Sequence, residues 1–499
     1  MTYRPQPRPT VRRVTATALA LLILAVPLQA TWSIVIINER TGEVAVASAT
    51  CLTNRDLAQL VPVMLVGVGG AAAQSSIDSN GANRQLIRAE MLAGTHPKDI
   101  LVLLKNSDNN HQSRQYGLAD LQEQRRTFTG RNCAPWAGGV VGRDGPFLYS
   151  IQGNILVDEN VVGDCEQALI STSGDMAEKL MAAMEAAAAA GGDSRCTNAG
   201  KSADIGFMMI SRMGDVDGNC NSSVGCANGD YYMRLNVKDQ ARSAPDPVIQ
   251  LRDMFDLWRQ TWRGRPDHNL CTKTWTDESI PGNGTTKSTL ELRMVDWEGF
   301  DLGHGGATVS VDHAADSAGL STIGPVVDLG DGRYTVELTA GAGQGIDELE
   351  VLVDDGMGEI QLWRNPRLVL GETLIASATD LSASVGGTVS LDLVGPEDPS
   401  GRDYLLLATT SGIGPGFAIG GIQFPLNYDL FMLISYRQRN GSVFVDTQRT
   451  LAANGTASAQ FSAPAGALTP LVGGEISFAY MTLNPIDFPS SPVSILIVP

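Results

Sequence analysis

Several things are scarce in this 499-residue chain, and each shortage removes a class of function. Basic residues number 36 against 54 acidic ones, a net charge of -18, which repels phosphate backbones and anionic headgroups and argues against a nucleic-acid partner. Histidine is rare and dispersed (His96, His111, His268, His304, His313), with no HExxH and no close pair, so neither a zinc hydrolase nor a Ser-His-Asp triad is indicated. No two of the seven cysteines stand two residues apart, which excludes a zinc-knuckle spacing. Long apolar runs are also missing: the stretch Val14–Val26 falls short of the roughly 20 residues a bilayer requires. No metal and no cofactor are expected.

What is present points to export. Arg4, Arg8, Arg12 and Arg13 precede that short apolar stretch, and Pro27 and Ala30 follow it, so residues 1–30 read as a signal peptide cut before Thr31. Cysteine in an exported chain favours disulfides. Cys220 with Cys226 is the expected pair, and the odd count leaves at least one thiol unpaired. The expected location is extracytoplasmic: periplasmic, secreted or at the cell surface.

Patterning divides the mature chain. TWSIVIIN (31–38) is apolar on both faces, as a doubly covered strand is, and EVAVAS (43–48) returns after a turn. A third strand is expected over Val63–Gln74. Helical spacing follows at Ala82–Leu92, Pro97–Lys105 and Asp175–Ala190, then strands at Gly138–Val141, Phe147–Gln152 and Ile205–Ser211, and a helix from Pro247 to Trp262. Beyond Cys271 helical patterns vanish, and Pro, Gly, Ser and Thr punctuate short alternating strands. The fold class is therefore α+β, with a layered first domain over 31–270 followed by two β-sandwiches, 280–365 and 370–499.

The run TWSIVIINERTGEVAVAS resembles the opening of the domain-of-unknown-function 1028 family, which is grouped with the N-terminal nucleophile hydrolases. GVGGAAAQ (67–74), TGRNCAPWAGG (129–139), QGNIL (152–156), AAGGDSR (189–195) and PDPVIQLRDMFDL (245–257) are similar to family segments in the same order. The resemblance implies an αββα layered fold and makes Thr31 the nucleophile. A threonine at a new amino terminus can attack a carbonyl while its own α-amine takes the proton. Ser33, two residues along the same strand, would hold the amine. Asn154 beside Gly153 would donate to an oxyanion, Gly153 letting the backbone approach a ligand. Asp193 and Arg195, after Gly191 and Gly192, would orient the amine and substrate or form a structural salt bridge. Gln74 is a substrate-binding candidate. Family members often carry a basic residue after the second strand, where this chain has Ser48, Ala49 and Thr50. The segment DVDGNCN sets Asp215, Asp217, Asn219 and Asn221 at alternate positions, yet it departs from a calcium loop at Gly218 and Cys226, so a solvated, disulfide-clipped loop is expected.

GATVSV (306–311) and DGRYTVELTAG (331–341) resemble bacterial immunoglobulin-like domains of the invasin or filamin kind. The last region, with LSASVGGTVSLDL (381–393), is similar to a C-terminal sandwich of exported planctomycete proteins. Two functions stay open. One is an exported hydrolase of amide-type C–N bonds acting on a small amide or peptide-like substrate. The other is a non-catalytic surface, adhesion or binding protein that keeps the hydrolase fold and touches the cell envelope through its sandwiches.

Overall fold

A computed structural model describes residues 31–499 apart from 79, 134–135, 316, 396–400 and 453; the expected signal peptide lies outside the described residues. The chain forms two compact units, Met1–Phe255 and Asp256–Pro499, in a mixed α/β arrangement whose C-terminal half is made of sandwich strands.

The first unit contains β1 (Thr31–Asn38), β2 (Val44–Thr50), α1 (Leu57–Leu60), β3 (Pro62–Leu65), β4 (Gly69–Ser75), α2 (Ala82–Leu92), α3 (Pro97–Ser107), β5 (Arg114–Asp120), β6 (Arg125–Thr129), β7 (Ala137–Asp144), β8 (Phe147–Asn154), α4 (Asn160–Ser171), α5 (Met176–Ala189), β9 (Ile205–Ser211) and β10 (Met233–Val237). Helix α6 (Pro247–Trp262) follows. A six-stranded sheet runs β10-β9-β2-β1-β8-β7 and a four-stranded sheet runs β3-β4-β5-β6. Both β1 and β2 are buried along their whole length, because α4 and α5 pack on one face of the larger sheet and β3–β6 on the other. Helices α2 and α3 cover the smaller sheet's far side through Ile87, Met91, Ile100 and Leu104.

The expected single strand over Val63–Gln74 is instead a hairpin. Gly67, at φ +64°, turns the chain between β3 and β4, a conformation that costs glycine no Cβ clash. The run GGAAAQ suits β4 because the two sheets approach closely there: a Cβ on Gly70 would lie 2.9 Å from Val44. Helix α5 starts where Asp175 accepts from the Glu178 N–H, a capping arrangement worth about 1 kcal/mol. It ends at Gly191 (φ +102°) and Gly192 (φ +56°).

The second unit contains β11 (Thr272–Trp275), β12 (Ser279–Ile280), β13 (Lys287–Arg293), β14 (Thr308–His313), β15 (Thr322–Asp328), β16 (Arg333–Thr339), β17 (Gly345–Asp354), β18 (Glu359–Gln361), β19 (Arg367–Leu370), β20 (Leu374–Ala376), β21 (Asp380–Ser382), β22 (Gly387–Val394), β23 (Asp403–Thr409), β24 (Phe417–Ile419), β25 (Ile422–Phe424), α7 (Leu430–Arg437), β26 (Phe444–Val445), β27 (Gln448–Thr450), β28 (Thr456–Ala463), β29 (Glu475–Leu483) and β30 (Val493–Val498). Sheets β11-β13-β16-β15 and β12-β19-β17-β14 enclose one core around Leu290, Tyr334 and Val351. Sheets β20-β22-β28-β26 and β21-β30-β29-β23-β27 enclose another around Leu391, Phe461 and Phe478. Burial alternates along β13, β16 and β22, the period-two signature of a sheet with one wet face.

Candidate functional site

The site grows from the alternation of β1. Trp32 points to the helix-covered face, where its ring lies against Gly192. Val35 and Ile37 point between the sheets and pack with Met64 and Ala72. Thr31 and Ser33 share that inward face, so the interior turns from apolar to polar toward the start of β1. Thr31, Ser33, Ser48, Thr50, Gln74, Ser75, Gln115, Gln152 and Asn154 are all buried there.

Hydrogen bonds fix this layer. Gln74 Nε2 donates to the Thr31 carbonyl at 2.9 Å and to Gln115 Oε1 at 2.8 Å, and Gln74 Oε1 accepts from the Ser33 hydroxyl. Ser33 Oγ also lies 2.9 Å from Ser48 Oγ. Thr31 is registered opposite Asn154 across the β1–β8 ladder, and Asn154 Nδ2 donates to Ser75 Oγ at 3.2 Å. Two non-glycine residues with left-handed backbone adjoin this contact, Ser75 at φ 73° and Ile155 at φ 52°. Such conformations cost roughly 1–3 kcal/mol and persist where surrounding structure enforces them.

Asp193 and Arg195 meet the layer at Thr50. The Thr31 and Thr50 hydroxyl oxygens are 3.4 Å apart, and Arg195 Nη2 is 3.4 Å from Thr50 Oγ1. The Arg195 guanidinium pairs with Asp193 at 2.7 Å, and Asp193 Oδ2 also accepts from the Cys51 N–H at 2.7 Å. Asp193, in the loop after α5, is fully buried. A disulfide from Cys51 to Cys196 fastens this segment beside the end of β2. Arg195 thus brings a cation to Thr50 at the end of β2, where positions 48–50 carry no basic residue.

Residues 31–243 match the model of a family of unknown function, DUF1028. Residues 269–361 match the model of invasin domain 3. No curated protein matches. Among solved structures, a DUF1028-family protein from Silicibacter pomeroyi is 19% identical, over 46% of this chain and 85% of that one, with a TM-score of 0.35. The Yersinia pseudotuberculosis adhesin InvE is 17% identical over 47% of this chain and 60% of its own, with a TM-score of 0.19. Invasin, described as a bacterial integrin-binding protein, is 9% identical over 93% of this chain and 79% of its own, also at 0.19.

Within residues 31–243 one expectation needs correction. Gly153 does not open the backbone to a ligand: a Cβ there would lie 2.4 Å from Leu156 Cδ1, so the glycine makes room for a core side chain. Thr50, Ser75, Gln115 and Gln152 escaped sequence reasoning, although Thr50 sits at the same two-residue spacing from Ser48 that Thr31 has from Ser33. The Cys51–Cys196 bond also escaped it, since its partners are 145 residues apart. The expected Cys220–Cys226 bond is present.

The DVDGNCN carboxylates are engaged within the protein. Asp215 accepts from the Arg212 and Tyr232 N–H groups, both at 2.8 Å, and burial pushes its carboxyl up to about 6. Asp217 accepts from the Val66 N–H at 3.2 Å. Cys133, Cys165 and Cys271 are free and buried. Burial raises each thiol, Cys271 to about 11, which keeps them protonated and unreactive.

Proposed function

We propose that this is an exported surface or adhesion-type binding protein whose sandwich unit makes the contact. The observation that carries the reading is the match of residues 269–361 to invasin domain 3. Two disulfides support an oxidising, extracytoplasmic setting, and the charge of -18 disfavours nucleic acid. Domains at 31–270, 280–365 and 370–499, following a signal peptide, belong to this proposal. The test is attachment: beads carrying protein purified from an exporting host should be retained on cell envelopes or extracellular polysaccharide more than albumin-coated beads. Equal retention on every surface would sink the reading.

The gathering of Thr31, Ser33, Gln74 and Asn154 in one polar interior favours a second reading. Packing of helices on sheet, sheet on sheet and sheet on helices supports an αββα N-terminal nucleophile hydrolase-like domain. Cleavage before Thr31 would free an amine with an ordinary pKa of about 7.7–8.0, able to take the hydroxyl proton as Thr31 attacks an amide carbon. Asn154 would donate to the oxyanion, and Ser33 would hold the amine. Asp193 with Arg195 would orient amine and substrate, while Gln74 would contact the substrate. The leaving amine takes the proton, and water releases the acyl group from Thr31. Terminal sequencing of the exported protein decides the premise: a free Thr31 keeps this reading, and any other terminus removes its base.

A further inference from the structure

A cleft of about 620 Å³ lies in the second unit, lined by Asp403, Arg439, Asn440, Gln448, Arg449 and Thr450. Its volume is in the range of small-ligand sites, roughly 300–1,000 Å³, but no lining residue is apolar. It forms where the turn after α7 meets β27, the edge strand paired to β23. Asn440, at φ 58°, locks that turn in place. Its side-chain amide donates to the Gln448 carbonyl at 2.8 Å and accepts from the Gln448 N–H at 3.0 Å.

The arginines are held ready. The Arg439 guanidinium lies 4.4 Å from the Tyr436 ring centroid. Its Nε donates to Gln448 Oε1 at 2.5 Å and its Nη1 to the Tyr436 carbonyl at 2.9 Å. Arg449 is tethered through Nε to Asp446 at 3.0 Å. Among the described residues, Arg439 Nη2 and both terminal nitrogens of Arg449 have no hydrogen-bond partner. Fixing these side chains in advance lowers the entropy lost when they clasp an oxyanion. Asp403 accepts from Thr450 through Oδ1 at 2.7 Å, which leaves Oδ2 to take a hydroxyl.

We infer that this cleft is a binding site for carboxylated saccharides, Arg439 and Arg449 taking the carboxylate and Asp403, Asn440, Gln448 and Thr450 the ring hydroxyls. Two guanidiniums beside the carboxylates of Asp403 and Asp446 leave the cleft near neutral, which suits a ligand of low charge density with several hydroxyl donors. A densely charged phosphate polymer would meet Asp403 unfavourably. The inference rests on the surface-binding reading and gives it a ligand class.

Calorimetric titration of the full exported chain with galacturonate oligomers, against galactose oligomers of equal length, tests it. Binding of the carboxylated series alone is expected, weakened at least tenfold in the double variant Arg439→Ala/Arg449→Ala. Any fall in melting temperature should be small, because both side chains are exposed and exposed contacts of this kind contribute little to stability. No galacturonate binding at millimolar concentrations, equal binding of the neutral series, equal binding of a sulfated series, or undiminished binding by the double variant would each overturn it. Bead attachment that persists without galacturonate binding rejects this site while the surface reading stands; loss of all attachment rejects the reading itself.

Discussion

Inward positions of β22 and β28 are held by Val389, Leu391, Leu393, Ala459 and Phe461, whereas those toward one end of β1 and β2 are Thr31, Ser33, Ser48 and Thr50. Both sets are enclosed, yet one interior is an oil-like core and the other a hydrogen-bonded layer. The sandwich takes its stability from burial, at about 25 cal/mol per Å² of apolar surface, and is left with chemistry only on its outside. The first unit gives up apolar burial at one end, where most polar groups are held by hydrogen bonds to one another, although among the described residues Gln152 Nε2 has no partner. A long-range disulfide then compensates.

The largest contrast should come from the disulfides. On chain-entropy grounds, closing 145 residues with Cys51–Cys196 contributes about 5 kcal/mol, while closing six with Cys220–Cys226 contributes about 2. Cys51→Ala/Cys196→Ala should therefore lower the calorimetric transition of the first unit far more than Cys220→Ala/Cys226→Ala, with the second unit's transition unmoved. Equal losses would show that loop length is not what matters. Next in size is Phe478→Ala, which opens a void beside Phe461, its ring centroid 5.4 Å away. A loss of about 3–5 kcal/mol is expected in chemical denaturation, confined to the second unit.

Removing a hub of the polar layer should cost less. Gln115 Nε2 lies within hydrogen-bonding distance of Thr129 Oγ1 and the Gly138 and Gly153 carbonyls, and Oε1 accepts from Gln74. Gln115→Leu keeps much of the volume but strands these partners, so about 1–3 kcal/mol should be lost. No loss would mean that the layer is wet and already satisfied by solvent.

Legibility in the sequence followed the same contrast. Strands buried on both faces at 31–38 and strands of period two beyond Cys271 were readable because each burial geometry leaves its own apolar pattern. Helix α2 was readable from its spacing at Ala82–Leu92. The β3–β4 hairpin was not, since Val63–Gln74 is apolar or small throughout and only Gly67 marks the turn. Strands β5 and β6 and helix α4 were missed as well. Thr31 and Asn154 stood out through chain position and resemblance, but Gln115 and Ser75 did not: a lone glutamine or serine looks alike on a surface and in a buried network. The arginine-lined cleft needed the fold, because β23, β27 and the turn after α7 come together only there.

The smallest effect belongs to Asp215, which lies partly exposed between these extremes. Burial raises its carboxyl to about 6, outweighing the two N–H donors that lower it, whereas an unfolded chain titrates that group near about 3.9. Between those values the native state holds more protons than the unfolded state, so this group's contribution to stability is present below about pH 4 and is lost as pH rises through about 6. Asp215→Asn removes the titration while keeping an oxygen for the Arg212 and Tyr232 N–H groups. The difference in urea midpoint between variant and wild type should therefore shift in the variant's favour from about pH 4 to about pH 7.5. A shift in the opposite direction would mean that the paired N–H donors, not burial, govern this carboxylate.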